Sequence, residues 1–219
     1  MSLSQKEMTS RFSSIYSGAV SDVLDQKGFR HQVLPSSLHG LTLETKVCGL
    51  ALPVLGEPST LTDADEIFTP LLRMLGDVKP YNVVVTQAND QSCAHLGELS
   101  ATAIQSRGGA GAVIYGGVRD IQYIQNLGLS VFCRYTTPAD VVGRWRLVDY
   151  NVAIEIEGVT VHPGDIVLGD KDGVLVVPLD IAEEVLIASE DIVGTENHVR
   201  NAVKNGMHPL DAYRKYGWF

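Results

Sequence analysis

The sequence predicts a mixed α/β domain, and three observations predict it. Short apolar runs alternate with helix-period segments over residues 46–134. From residue 152 onward, short strand-like runs follow one another through turn signals. Glycine is frequent, 21 of 219 residues, and falls at the joints between these segments rather than at a fixed period. The length fits a single domain spanning residues 1–219.

Each element follows from its local pattern. Between residues 4 and 27, Met8, Phe12, Ile15, Val20, Val23 and Leu24 recur at roughly helical spacing, giving one or two helices stopped by Gly28. Residues 46–55 are mostly apolar and read as a buried strand. Thr62, with Asp65 three positions on, reads as a cap before the helix marked by Ile67, Leu71, Leu72 and Leu75. Val83, Val84 and Val85 make a strand covered on both faces. A helix over 97–107 is stopped by Gly108 and Gly109; a strand over 112–115, a short helix over 119–127 and a strand over 131–134 follow. Strands over 152–157, 158–161, 166–169 and 174–178 are separated by Gly158, Pro163-Gly164 and Asp172-Gly173, and read as an antiparallel half. Residues 180–205 form a long helix, acidic early and basic late as its dipole prefers.

Composition narrows the function. Lys and Arg number 17 against 26 Asp and Glu, a net charge of -9, which argues against a nucleic-acid surface built on clustered cations. Cys48, Cys93 and Cys133 are too scattered for a disulfide framework or a zinc ribbon, so the chain reads as cytoplasmic. The first eleven residues are polar, without a signal-peptide core, and no apolar run is long enough to span a membrane.

The chemistry concentrates in residues 95–120, HLGELSATAIQSRGGAGAVIYGGVRD. A helix beginning near Glu98 leaves the Leu99 and Ser100 amides unpaired at its positive end, which makes an anion site. Arg119 and Asp120 follow a strand ending in Gly116-Gly117, and ligands of α/β sheets gather beyond the carboxyl ends of strands. The plainer alternative is that Arg119 and Asp120 are a cap with a surface ion pair, and that Glu98 only complements a helix dipole. The GGAGAV glycines precede a strand and make no dinucleotide fingerprint. His95, without a partner histidine, reads as a hydrogen-bonded structural residue. His162, His198 and His208 lack zinc spacing. Cys133 reads as a small buried filler, Ser100 has no His-Asp partners for nucleophilic work, and Lys171 and Lys204 read as surface charges.

The same segment, followed by VFCRYTTPAD and GVTVHPGDIVLGDKDGVLVVP and, more softly, preceded by AVSDVLDQKG and KVCGLALPV, resembles the family of regulator of ribonuclease activity A (RraA) and the class II 4-hydroxy-4-methyl-2-oxoglutarate/4-carboxy-4-hydroxy-2-oxoadipate aldolases. The resemblance covers about residues 18–180, leaving 180–219 as a C-terminal helical segment. In that family an acidic residue, twenty intervening residues and then Arg-Asp mark catalytic members, and Glu98 with Arg119-Asp120 keeps this spacing.

The resemblance implies a layered β/β/α RraA-like domain with a mixed sheet, assembled as a homotrimer or hexamer. It implies Mg²⁺ or Mn²⁺ on Asp120, with Glu98 as a ligand through water. Arg119, Gly97 and the Leu99 and Ser100 amides would hold the pyruvyl end of a small 2-oxo acid. Cleavage of the C3–C4 bond would release pyruvate enolate, and oxaloacetate decarboxylation would share that intermediate. A carboxylate from a neighbouring subunit's C-terminal helix is also implied, and Glu196 is the nearest by spacing. Tyr115 and Gln87 stand where or near where members often carry Asp, which bears on the pocket floor. The resemblance leaves a second function open: a non-catalytic regulator that binds and inhibits a ribonuclease. A methyltransferase label carried by some members finds no glycine-rich S-adenosylmethionine loop here.

Overall fold

A computed structural model describes residues 3–219. Its frame is a nine-stranded mixed sheet. The central strands β2 (Val47–Pro58), β3 (Asn82–Gln87), β5 (Gly111–Val118) and β6 (Ser130–Thr136) run parallel. Antiparallel strands flank them: β1 (His39–Gly40) on β6, and β10 (Ile166–Asp170) on β2, followed by β11 (Gly173–Val177). Two short strands complete it. β4 (Ala94–Leu96) lies parallel to the end of β5, and β7 (Trp145–Tyr150) pairs antiparallel with the second half of β2. A separate hairpin joins β8 (Ile154–Ile156) to β9 (Val159–Val161).

The period-2 geometry of a strand decides the layers. Val84, Leu52, Val54, Ala112 and Ile114 point to one face, where α3 (Ala64–Asp77), α4 (Glu98–Ser106) and α5 (Ile121–Leu127) cover them. Leu50, Ile166, Leu168 and Leu175 pack under α1 (Gln5–Phe12), α2 (Ser17–Gln26) and α6 (Ala182–Lys204). Val83, Val85, Val113, Phe132 and Val167 point the other way, and Ile154, Ile156, Val159 and Val161 of the hairpin close over them. Helices, sheet and hairpin are therefore three layers, as the β/β/α expectation has it.

Several expectations shift. The α3 cap is Asp63 rather than Thr62, because the Asp63 carboxylate accepts from both the Asp65 and Glu66 amides, at 2.9 and 3.0 Å, and adds charge to the helix dipole. The strands after residue 152 pair antiparallel as expected, β8 with β9 in the separate hairpin and β10 with β11, but β10 also takes the free edge of β2 and extends the main sheet. α5 starts two residues later than expected, leaving Arg119 and Asp120 outside the helix. After α6 the chain forms a further helix, α7 (Pro209–Tyr216), opened by Pro209 in its first turn. Among the described residues no helix is long and apolar enough to cross a membrane.

Candidate active site at the end of strand β5

Asp120 sits in the left-handed region, φ 61° and ψ 36°, between the end of β5 and the start of α5. Asp tolerates this conformation better than most side chains, yet it still costs on the order of 1 kcal/mol. What the conformation gains is a contact: Asp120 Oδ2 accepts from the Glu98 amide at 3.1 Å, at the first turn of α4. The backbone adds a second tie, because the Arg119 amide donates to the Leu96 carbonyl at 3.0 Å. The two segments expected from sequence to share a crevice therefore meet.

Gly97 makes that meeting possible. A Cβ there would lie 2.9 Å from Asp120 Oδ2 and 3.2 Å from Arg119 Nε. Gly97→Ala is expected to fold, with its melting temperature within about 4 °C of wild type, while displacing both side chains. Comparing turnover with melting temperature checks this; equal loss of both would contradict it.

Arg119 is half-exposed, with Nη1 on Asp140 Oδ1 at 3.1 Å and Nε 3.7 Å from Asp120 Oδ2. Asp140 was not singled out from the sequence. It lies in the TTPAD stretch after β6, and only the return of that loop brings it to Arg119. Among the described residues, neither Arg119 Nη2 nor Asp120 Oδ1 makes a hydrogen bond. The crevice beside them has a volume of about 330 Å³, with Thr136, Thr137 and Pro138 forming the opposite wall. A larger cavity of about 620 Å³ is lined by residues including Asp77, Lys79, Asn82 and Arg107 and does not include the Arg119–Asp120 pair.

The other expected residues fall as follows. The Glu98 carboxylate accepts from Thr102 Oγ1 at 2.9 Å, one turn along α4. The Leu99 and Ser100 amides lie in the first turn, where the helix supplies no acceptor. Leu99 and Ser100 line a separate groove between α3 and α4, and neither they nor Gly97 and Glu98 line the Arg119–Asp120 crevice. Glu196 is engaged within its own chain by the Tyr16 hydroxyl and by Trp218 Nε1, the latter at 3.4 Å. Gln87 and Tyr115 are neighbours across β3 and β5, and both brace the β8–β9 hairpin. Gln87 Oε1 accepts from the Glu155 amide at 2.9 Å, and Tyr115 donates to Glu157. Lys171 pairs with exposed Glu44, a surface contact as expected.

Behind the crevice lies a buried cluster of Asp90, Cys93 and His95, whose potential ligand atoms lie within 4.8 Å of one another. His95 Nε2 is 3.2 Å from Asp90 Oδ2, and His95 Nδ1 accepts from the Gly117 amide at 3.0 Å. An amide N–H cannot accept, so Nδ1 is the bare nitrogen, and the proton sits on Nε2 facing Asp90. The protonated Nε2 is thus not free to ligate a metal. Burial, with Asp90 adding to it, pushes the Cys93 thiol up to about 12, and thiol and imidazole are soft donors. The cluster suits a hydrogen-bonded knot, not a hard divalent ion. By contrast, Asp120 offers a carboxylate at the crevice, an oxygen donor of the kind Mg²⁺ and Mn²⁺ take, while the Glu98 carboxylate lies outside the crevice lining and accepts from Thr102.

The knot links folding to pH. Burial holds the His95 imidazole below its ordinary value against the opposing pull of Asp90. Asp90, raised by burial, is brought below its ordinary value by hydrogen bonds from Ser92 and Cys93 and by His95. In both cases the unfolded chain binds a proton at a pH where the folded chain does not, so stability rises with pH. It is complete above about 6.5 and falls as pH drops, first through His95 and then, below about 4, through Asp90. The melting temperature should fall between about pH 7 and pH 5, with a shallower slope in His95→Asn; equal slopes would contradict the assignment.

The fold and site are those of an α/β domain with an Arg-Asp pair at a strand end, facing the first turn of a helix. Comparison with known proteins makes this specific. Residues 17–176 match the RraA-like family, described as Aldolase/RraA, and the chain belongs to this family. A protein of Halalkalibacterium halodurans provisionally named 4-hydroxy-4-methyl-2-oxoglutarate aldolase is 28% identical over 97% of this chain and 96% of its own length. The protein DlpA of Legionella pneumophila is 29% identical over 91% of this chain, which spans only 32% of DlpA. The crystal structure of Streptomyces coelicolor RraAS2, described as an unusual member of the RNase ES inhibitor RraA family, superposes with a TM-score of 0.81. It is 29% identical, covering 91% of this chain and 98% of that one.

Proposed function

We propose that the protein is a divalent-metal-dependent class II aldolase of the cytoplasm. It would cleave 4-hydroxy-4-methyl-2-oxoglutarate or 4-carboxy-4-hydroxy-2-oxoadipate to pyruvate and a second 2-oxo acid, and decarboxylate oxaloacetate as a side reaction. The observation that carries this reading is the meeting of Asp120, held in a left-handed conformation, with Arg119 and the first turn of α4. The family and the name of the Halalkalibacterium relative support it.

The chain's own groups account for binding and orientation. Arg119 offers Nη2 to the 2-keto and carboxylate oxygens of the substrate, and the Leu99 and Ser100 amides add the positive end of α4. Asp120, through Oδ1, would hold Mg²⁺ or Mn²⁺, with Glu98 reaching it through water. When bound, such an ion supplies Lewis-acid stabilisation of the enolate oxygen. Loss of the C4 hydroxyl proton to a base drives the C3–C4 bonding pair into the pyruvyl carbonyl. Arg119 stabilises the resulting negative charge, and protonation at C3 completes pyruvate. In the same arrangement oxaloacetate loses carbon dioxide. The reading includes a homotrimer or hexamer in which Glu196 serves a neighbouring subunit, releasing its contacts with Tyr16 and Trp218.

The test is pyruvate release from oxaloacetate and from 4-hydroxy-4-methyl-2-oxoglutarate, with Mg²⁺ and with a chelator. Metal-dependent release supports the aldolase, and no turnover of any 2-oxo acid would sink it. The likeness to RraAS2 favours one other reading, a ribonuclease regulator. Inhibition of a ribonuclease by a wild-type protein that turns over no 2-oxo acid would establish that reading.

A further inference from the structure

The β5 strand carries an irregularity just before the site. Its pairing with β6 shifts register between Ile114 and Gly117, and its pairing with β4 shifts between Ala94 and Leu96. A bulge of this kind takes backbone groups out of the ladder and re-aims the strand beyond it. Gly117 lies at this irregularity, and besides its pairing with Ala94 and Tyr135 its amide donates to His95 Nδ1 at 3.0 Å. Ladder-like bonds resume immediately afterward, with the Arg119 amide on the Leu96 carbonyl and the Thr137 amide on the Val118 carbonyl.

We propose that His95 is a positioning residue. Its ring gives the Gly117 amide a side-chain acceptor at the register shift, and so sets where β5 delivers Arg119 and Asp120 against the first turn of α4. The consequence for turnover rests on the aldolase reading; the consequence for the backbone does not.

Placement supports the role. His95 lies two residues before Gly97, and Gly117 lies two residues before Arg119. One side-chain hydrogen bond therefore joins the two segments just upstream of the Glu98–Asp120 contact that assembles the site. The ring is held on every side. Its side chain is fully buried, Nε2–H faces Asp90, and Trp145 packs edge-on with ring centroids 5.0 Å apart. Asp90 is fixed in turn by the Ser92 amide and hydroxyl, both at 2.8 Å. Tyr135 of β6 donates to the Cys93 carbonyl at 3.0 Å, tying the neighbouring strand to the same loop. Gly116 leaves room for the ring: a Cβ there would come 2.4 Å from His95 Nδ1. A histidine buried only as filler would need no particular acceptor at the δ position.

Two variants separate these possibilities in the full-length protein. In His95→Asn the amide oxygen occupies the δ position and keeps an acceptor for Gly117. In His95→Gln the amide lies at the ε position, reaching toward Asp90 and removing the side-chain acceptor from Gly117. With oxaloacetate and Mg²⁺, His95→Asn should keep kcat within about threefold of wild type, and His95→Gln should lose roughly 10- to 100-fold, as small misplacements of reacting groups do. Amide exchange of Gly117, read by NMR, should stay slow in the Asn variant and accelerate in the Gln variant. Equal kcat in the two variants, following their melting temperatures, would overturn the proposal. If the wild type turns over no 2-oxo acid, the aldolase reading fails alone, and Gly117 exchange still decides. Equal Gly117 protection in both variants would then overturn the positioning role.

Discussion

Asp120→Asn is expected to fold like the wild type and to lose metal-dependent release of pyruvate by on the order of 10³-fold in kcat/KM. Asn tolerates the left-handed conformation at φ 61° as Asp does, and its side-chain oxygen still accepts from the Glu98 amide. The substitution therefore removes the negative charge while keeping the local hydrogen bond. Asp120→Ala should lose as much activity and also some stability, about 1 kcal/mol, because alanine gains nothing in the left-handed region and leaves the α4 amide unanswered. The assay is oxaloacetate decarboxylation across a Mg²⁺ titration, beside thermal melts of both variants. An Asn variant retaining activity within about threefold of wild type would remove Asp120 from the proposed chemistry.

The same pair of residues marks how far the sequence could be read. Glu98, Arg119 and Asp120 could be placed at the ends of their elements because the signals there are local: a capless helix start and a strand with two glycines near its end. The apolar runs of β2, β3, β5 and β6 were legible for the same reason, since a strand buried on both faces has no alternative composition. What was not legible depends on distant returns of the chain. Asp140 meets Arg119 only because the loop after β6 folds back over the crevice. His95 read as an ordinary structural histidine, and nothing in HLGE reveals that its δ nitrogen answers an amide 22 positions away. Strand β7 was missed although it alternates, with Trp145 and Leu147 buried and Arg146 and Val148 facing out. Its flanking residues carry no strong turn signal, and its partner, β2, lies almost 90 positions earlier.

Trp145→Ala is expected to cost about 3–5 kcal/mol of stability. The ring is 2% exposed, belongs to the core beneath α3 and α4, and packs edge-on against His95. Its Nε1–H donates to the Ala88 carbonyl at 2.8 Å. Removing it opens a cavity, leaves that buried carbonyl unpaired and frees one wall of the His95 pocket. For a chain of this size the loss corresponds to a fall of about 6–20 °C in melting temperature. Trp145→Phe keeps most of the volume and loses the hydrogen bond, so it should cost only about 1–3 kcal/mol. The comparison also bears on the site. If the tryptophan supports the His95 ring, Trp145→Phe at a temperature where it is fully folded should speed Gly117 amide exchange beyond the global loss of stability. Exchange at Gly117 that only matches other β5 amides would confine Trp145 to a packing role.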